Sequence, residues 1–304
     1  MEDIIFGRLV KFKIMKKIFL VAEIGCNHMG DLKTAKKLID QAKYCGADYV
    51  KFQKRDNKTL FSKKEFNAKH PNPRNSFGDT YGLHREYLEF NLSTHMKLVS
   101  YCKKKRIKYS CSVWDINSAK SMAKISRDYI KIPSATNMNF EVLDFLSKKF
   151  KGDIHLSTGM TTSNELDEII NFLDNRNSLS KVVLYSCTSA YPAEINDVKL
   201  LDVLNLKKKY GKYLKSIGFS GHHKGVTIDN AAVVLGATWF ERHFTFDRTA
   251  KGTDHAASLE IDGLKKLRGR LDLTSQALQY KTKNILKSEI FQRNYLKKIV
   301  RLKN

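Results

Sequence analysis

The chain has 304 residues, with 55 Lys or Arg against 31 Asp or Glu, for a formal charge of +24 at pH 7. No apolar stretch approaches the roughly 18 residues that span a bilayer, and the first residues, with Asp3, Arg8, Lys11 and Lys13, lack the apolar core of a signal peptide. The cysteines at 26, 45, 102, 111 and 187 are odd in number and show no CxxC spacing, which points to reduced thiols and a cytoplasmic protein, not to a disulfide framework.

Eight strand-like apolar runs follow one another: Lys17–Glu23, Asp48–Gln53, Ile107–Cys111, Tyr129–Ile132, Ile154–Ser157, Val182–Cys187, Leu214–Phe219 and Thr238–His243. Between them lie segments with apolar residues three and four apart, such as Leu38, Ile39 and Ala42. Strand then helix, eight times over, is the order that closes a parallel (β/α)8 TIM barrel of the α/β class, a fold of about 250 residues. The expected organisation is an N-terminal extension over 1–16, a barrel over 17–280 and a basic, amphipathic helical tail over 281–304. The tail's Ile285, Leu286, Ile290, Tyr295, Leu296 and Ile299 are expected to pack on the barrel or on a second subunit.

One interruption stands out, about 55–90, between the second strand and its helix. A connection this long on the C-terminal rim of a barrel is expected to work as a lid. Arg74 and Arg85 are its cations best placed to reach an anionic substrate, unless either forms a surface ion pair. The net charge admits a nucleic-acid surface, but no RNP motif, zinc-finger spacing or helix-turn-helix accompanies it. Lys103–Arg106 and Lys207–Lys209 fall near helix ends, where cations complement the dipole. The expected partner is therefore a small anionic substrate, with no specific nucleic acid and no membrane. Barrel chemistry sits where strands end, and those positions hold Glu23, Lys51, Gln53, Lys131, Ser134, Ser157, Thr188, Ser220, His222 and His243.

The motifs at these ends carry a resemblance. Glu23-Ile24-Gly25-Cys26-Asn27-His28, Lys51-Phe52-Gln53, Lys131-Ile132-Pro133-Ser134 and Ser157-Thr158-Gly159-Met160 are followed by Cys187-Thr188-Ser189-Ala190-Tyr191-Pro192. Phe219-Ser220-Gly221-His222, Glu241-Arg242-His243 and Gly252-Thr253-Asp254-His255 complete the series. In this order they resemble the N-acetylneuraminate (sialic acid) synthase family, over roughly Lys17 to Leu267.

The resemblance implies condensation of phosphoenolpyruvate with an open-chain amino-sugar aldehyde, N-acetylmannosamine or a related sugar, to a nine-carbon 2-keto-3-deoxy acid and phosphate. Lys51 and Lys131 would supply charge for phosphoenolpyruvate, with Ser134, Ser157, Ser189 and Ser220 as hydroxyl donors. Either lysine could instead sit in a structural salt bridge. His222 and His243, at neighbouring strand ends, would hold a divalent ion, manganese before magnesium or cobalt. Glu23 is the candidate for general acid–base work on the water that attacks C2, unless the metal delivers that water. Gln53, Tyr191 and Asp254 would meet the sugar, and His28 would either order its loop or support the site residues from behind. Glu241 either faces the same lumen or forms an interior salt bridge.

Three departures from the family pattern stand out. Ser220-Gly221-His222-His223 replaces Ser-Asp-His-Thr, which would remove a carboxylate near the metal and add an imidazole. Cys111 in Ser110-Cys111-Ser112-Val113 would place a thiol near the substrate. The chain also lacks the family's small C-terminal antifreeze-like domain, so a homodimer is expected to close the sugar site through the lid or the tail. The other readings are a phosphoenolpyruvate–aldose synthase making an eight- or seven-carbon keto acid, and a non-enzymatic basic nucleic-acid-binding or scaffold barrel.

Overall fold

Side-chain alternation along each strand decides what lies inside the barrel. The computed structural model describes residues 17–299, so the extension expected over 1–16 and the last residues of the tail lie outside the described residues. In β1 (Phe19–Gly25), Leu20, Ala22 and Ile24 are buried in the main core that the helices share, while Val21 belongs to a smaller cluster in the lumen. The same period of two runs through β2 (Tyr49–Lys54), β3 (Lys108–Val113), β4 (Tyr129–Ile132), β5 (Asp153–Ser157), β6 (Val182–Cys187), β7 (Ser216–Ser220) and β8 (Trp239–His243). The strands pair in sequence order, and β8 returns parallel to β1 with Glu23 opposite His243. All eight expected runs are strands, shifted by no more than two residues at any end.

Helices α1 (Leu32–Tyr44), α2 (Leu92–Lys105), α3 (Ile116–Ala123), α4 (Phe140–Lys149), α5 (Ser163–Asp174), α6 (Asp202–Tyr210), α7 (Thr227–Leu235) and α8 (Ile261–Ala277) follow the strands. Ala35, Leu38, Ile39 and Ala42 of α1, and Leu166, Ile169, Ile170 and Leu173 of α5, form the i, i+3, i+4, i+7 stripe that seats a helix on a sheet. Thr162 and Glu165 close a capping box at the start of α5. The basic runs fall in the last turns of α2 and α6.

Tyr49, Tyr129, Tyr185 and Trp239 fill the lumen as an aromatic floor. Tyr129 stacks on the buried His155 at 3.6 Å, and His155 Nδ1 lies 2.8 Å from the Tyr185 hydroxyl. The barrel is thus plugged below and open only at its C-terminal rim.

The insertion is more ordered than a plain loop, with short helices at Asn57–Leu60, Lys63–Asn67 and Tyr81–Leu88. It meets the loop after β8, where Lys251 lies 4.9 Å from the Phe77 ring. The tail differs from expectation. Glu289 accepts from the Leu286 amide and from Lys281 Nζ, capping a new start. Helix α9 therefore covers only Ile290–Leu296, instead of one helix running from 281. A seven-residue helix cannot carry a continuous stripe, and Ile290, Phe291, Tyr295 and Leu296 are exposed instead of packed on the barrel.

Candidate active site

Each lumen residue of the floor has its chemistry-bearing partner two positions later, one layer nearer the rim: Val21 with Glu23, Tyr49 with Lys51, Tyr129 with Lys131, His155 with Ser157, Tyr185 with Cys187 and Trp239 with Glu241. These side chains border a cavity of about 290 Å³, which is also lined by Gln53, Ser134, Ser189, Tyr191, Ser220, His222, His243 and Asp254. All twelve expected site residues therefore converge on one space.

At its base lies a buried charge network. Lys51 Nζ is 2.6 Å from Glu23 Oε2 and 3.8 Å from Glu241, and donates to Ser112 Oγ at 2.6 Å. Lys131 Nζ is 2.7 Å from Glu241 Oε1, which also accepts from Ser220 Oγ at 3.2 Å. Glu241 thus does both things weighed for it, facing the lumen and bridging two lysines. Burial opposes its ionisation, yet Lys131 and Lys51 outweigh that and hold its carboxyl low. For Glu23 burial wins over Lys51, and its carboxyl is raised. Of the two carboxylates, Glu241 keeps its charge and Glu23 is the one poised to take a proton. Gln53 Nε2 donates to Glu23 Oε1 at 2.9 Å and orients it.

On the β4–β6 side, Ser134 and Ser189 face one another across Gly159, where a Cβ would collide with both hydroxyls. The glycine lets this pair of donors close up. On the β7–β8 side, the rings of His222 and His243 lie 5.4 Å apart, with Tyr191 4.1 Å from His222. Thr188 O accepts from His222 Nδ1 at 2.7 Å, which fixes the tautomer and leaves Nε2 as the nitrogen beside the Cys187 thiol. His243 Nδ1 is buried without a hydrogen-bond partner, 3.8 Å from Asp254. Burial brings His243 down to about 4, a neutral imidazole at pH 7. No group of three or more His, Cys, Asp or Glu suited to a metal occurs among the described residues. The pair of imidazoles fits a divalent ion as two ligands, one held by a backbone carbonyl as metal-binding histidines are and one with an orphaned nitrogen.

Several sequence readings need correction. Cys111 faces the helix layer, wholly buried, and Ser112 is the β3 residue in the cavity, so no thiol replaces a hydroxyl beside the substrate there. His223 does not approach the His222–His243 pair. It is buried 3.3 Å from both Arg242 Nη1 and Asp229 Oδ2, themselves paired at 2.6 Å. A Cβ at Gly221 would come within 3.1 Å of Phe219 and His223, so the two departures in this motif occupy one space. Thr188 contributes its carbonyl, while its hydroxyl donates to Asp197 O. Arg74 is exposed and outside the cavity, whereas Arg85 lines it. His28 orders its loop, accepting from Gly30 N at 3.1 Å and stacking on Phe90.

Arg55, Ser112, Trp114 and Cys187 also line the cavity and were not singled out. For Ser112 and Cys187 the period of two was sufficient signal, since each sits two residues beyond a lumen position. Burial opposes ionisation of Cys187, but His222 and Lys131 bring its thiol down to about 7.

A family model described as the NeuB family matches residues 38–283. The N-acetylneuraminate-9-phosphate synthase of Drosophila melanogaster is 36% identical over 267 residues, 88% of this chain and 69% of that protein. The N,N'-diacetyllegionaminic acid synthase of Campylobacter jejuni is 35% identical over 285 residues, 93% of this chain and 84% of that one. The crystal structure of a sialic acid synthetase from Leptospira borgpetersenii, in complex with citrate, superposes with a TM-score of 0.78 at 27% identity, covering 95% of this chain and 96% of that one.

Proposed function

The chain belongs to the NeuB family, and from that premise we propose that it condenses phosphoenolpyruvate with the open-chain aldehyde of an amino sugar. The observation that carries this reading is the convergence of two lysines, five serines, two imidazoles and Glu23 on one cavity at the closed barrel's open rim.

In the reaction, C3 of phosphoenolpyruvate bonds to the aldehyde carbon, whose oxygen takes a proton. Water then adds to C2 and gives up a proton, and the C2–O bond to phosphate breaks with its electron pair leaving on phosphate while the C2 hydroxyl becomes the keto group and its proton goes to the departing phosphate. Lys131, with Ser134, Ser157, Ser189 and Ser220, holds the phosphate and carboxylate of phosphoenolpyruvate. Lys51 completes this charge and keeps Glu23 aimed into the site. Glu23, its carboxyl raised by burial, positions the water at C2 and takes its proton. Gln53, Tyr191 and Asp254 orient the sugar hydroxyls. His222 and His243 would hold a divalent ion, manganese in this proposal, which would supply Lewis-acid polarisation for the aldehyde oxygen.

Two further parts of the reading concern the whole protein. A cytoplasmic location is supported by five free thiols, and no helix among the described residues is long and apolar enough to cross a membrane. A homodimer is supported by the exposed apolar residues of α9. The test of the reaction is a panel of aldoses offered with phosphoenolpyruvate and manganese, followed by phosphate release. Turnover of 2-acetamido hexoses to a nine-carbon keto acid is expected, and turnover confined to four- or five-carbon aldose phosphates would refute it.

A further inference from the structure

Arg55 follows directly on β2, and the pairing of β2 with β3 runs to Lys54 opposite Val113, which sets Arg55 beside Trp114. Arg55 is 3% exposed, and its guanidinium lies 3.8 Å from the Trp114 ring. Burial and Arg85 work against its charge, while Glu89 and Asp254 support it, and Glu89 also accepts from its backbone amide at 3.1 Å. Held in this way, Arg55 donates through Nη2 to Gln53 Oε1 at 2.6 Å. The Lys51-Phe52-Gln53 motif ends two residues short of it, so the resemblance assigns Arg55 nothing.

A carboxamide has an oxygen end that accepts and a nitrogen end that donates, whereas a guanidinium has no acceptor at all. The Arg55 fork therefore fixes which end of Gln53 faces which way. With Oε1 taken by Arg55, and by the Cys26 thiol at 4.0 Å, Nε2 is left to face Glu23, to whose Oε1 it donates at 2.9 Å. Gly25 makes this approach possible, because a Cβ there would lie 3.0 Å from Gln53 Nε2 and 3.1 Å from Glu23 Oε1. Lys51 meets the other carboxylate oxygen at 2.6 Å. Glu23 thus faces donors at both oxygens, the arrangement that suits a carboxylate. A reversed carboxamide would present its oxygen to Glu23 and would be satisfied only by a protonated carboxyl, the form that burial already favours. A protonated carboxyl is no base.

We infer that Arg55 is a positioning residue for the proton transfer at C2: through Gln53 it keeps a hydrogen-bond donor on Glu23 Oε1, so that Glu23 stands as a base toward the attacking water. This rests on the proposed condensation and adds a residue to its machinery. Water loses the proton and Glu23 gains it, while Gln53 and Arg55 keep theirs. Trp114 serves the same end from one step further out, because the stacked ring holds the guanidinium plane where Nη2 reaches Gln53.

The experiment combines steady-state kinetics with the nuclear magnetic resonance signals of the Gln53 carboxamide in the ligand-free protein, assigned by their loss in Gln53→Met. Arg55→Met should lower kcat by about tenfold or more, the scale of one hydrogen bond to a charged group, with KM for phosphoenolpyruvate unchanged. Its Gln53 signals should shift or broaden as the carboxamide turns. Arg55→Lys, which still only donates, should recover part of kcat, and Trp114→Leu should lose part of it by unpinning the guanidinium. In a Gln53→Met background, Arg55→Met should add little further loss, because the two residues act as one unit. Unchanged Gln53 signals would overturn the inference, as would additive losses in the double variant. A raised KM with kcat intact would also overturn it, by making Arg55 a group that binds substrate. Where Arg55→Met does not fold, Arg55→Lys and Trp114→Leu carry the same readouts. A parent protein that makes no keto acid from any aldose would count against the condensation, and the Gln53 signals would then decide the orienting role by themselves.

Discussion

Lys131 reaches to within 2.7 Å of Glu241 inside the barrel, and both side chains are almost wholly buried. The Tyr185 ring lies 3.8 Å from the ammonium and shields its other side. Removing one member of such a pair strands the other, so Glu241→Gln should destabilise the ligand-free protein by about 3–5 kcal/mol. Phosphoenolpyruvate, bringing its own negative charge to Lys131 and Lys51, should recover part of that loss. Urea midpoints with and without the ligand measure both effects, and a variant as stable as the parent would contradict the pairing.

Lys131→Ala removes the cation instead. Binding of phosphoenolpyruvate should weaken by about 2–5 kcal/mol, the range for truncating one partner of a buried charge pair. Calorimetric titration decides, and an unchanged affinity would move the anion elsewhere in the cavity.

The raised carboxyl of Glu23 has a signature in pH. Folding lifts it from 4.5 to about 7, so the folded state binds this proton more tightly than the unfolded chain. Its contribution to stability is therefore full below about pH 4.5 and is lost as pH rises toward 7. Glu23→Gln, which cannot titrate, should remove that decline from the ligand-free protein. Urea midpoints at a series of pH values compare the two proteins, and parallel profiles would show that Glu23 does not titrate there.

His222→Ala and His243→Ala should each abolish stoichiometric manganese binding while leaving the fold intact, because the barrel core lies below them. Metal analysis after dialysis reads the first effect and circular dichroism the second. Retention of manganese by both variants would place the ion elsewhere.

Sedimentation should show a dimer that persists on dilution, and replacing Phe291 and Leu296 together by Ser should dissociate it. Deleting the insertion should depress turnover more than melting temperature, since its helix delivers Arg85 to the cavity. A fully active monomer after both changes would dispose of the dimer and the lid alike.

The barrel was legible because each strand run carried its own punctuation, and because α1 and α5 repeat the apolar spacing that the lumen does not need. The site was legible where a strand end and a motif coincided, as at Lys51, Lys131, His222 and His243. Legibility failed where side-chain direction mattered: Cys111 and His223 sit in motif positions but point into the helix layer and against the buried Arg242–Asp229 pair. The tail failed for another reason. Apolar residues at helical spacing do not make a helix where Glu289 caps a fresh start, a choice set by one side chain's hydrogen bonds. Arg55 had no motif to announce it, and its place in the cavity depends on stacking against Trp114, 59 positions away.

The plugged lumen also governs the sequence of events. With Tyr49, Tyr129, Tyr185 and Trp239 sealing one end, everything that enters the cavity must leave by the way it came. Lys51 and Lys131, each 2% exposed, lie at the blind end, while Tyr191, 46% exposed, stands at the doorway. A ligand seated at the lysines is trapped behind whatever occupies the doorway. With phosphoenolpyruvate at the lysines, as proposed, the two substrates should queue, phosphoenolpyruvate first and the sugar second; steady-state kinetics should be of the compulsory-order type, with a dead-end sugar analogue competitive only against the sugar.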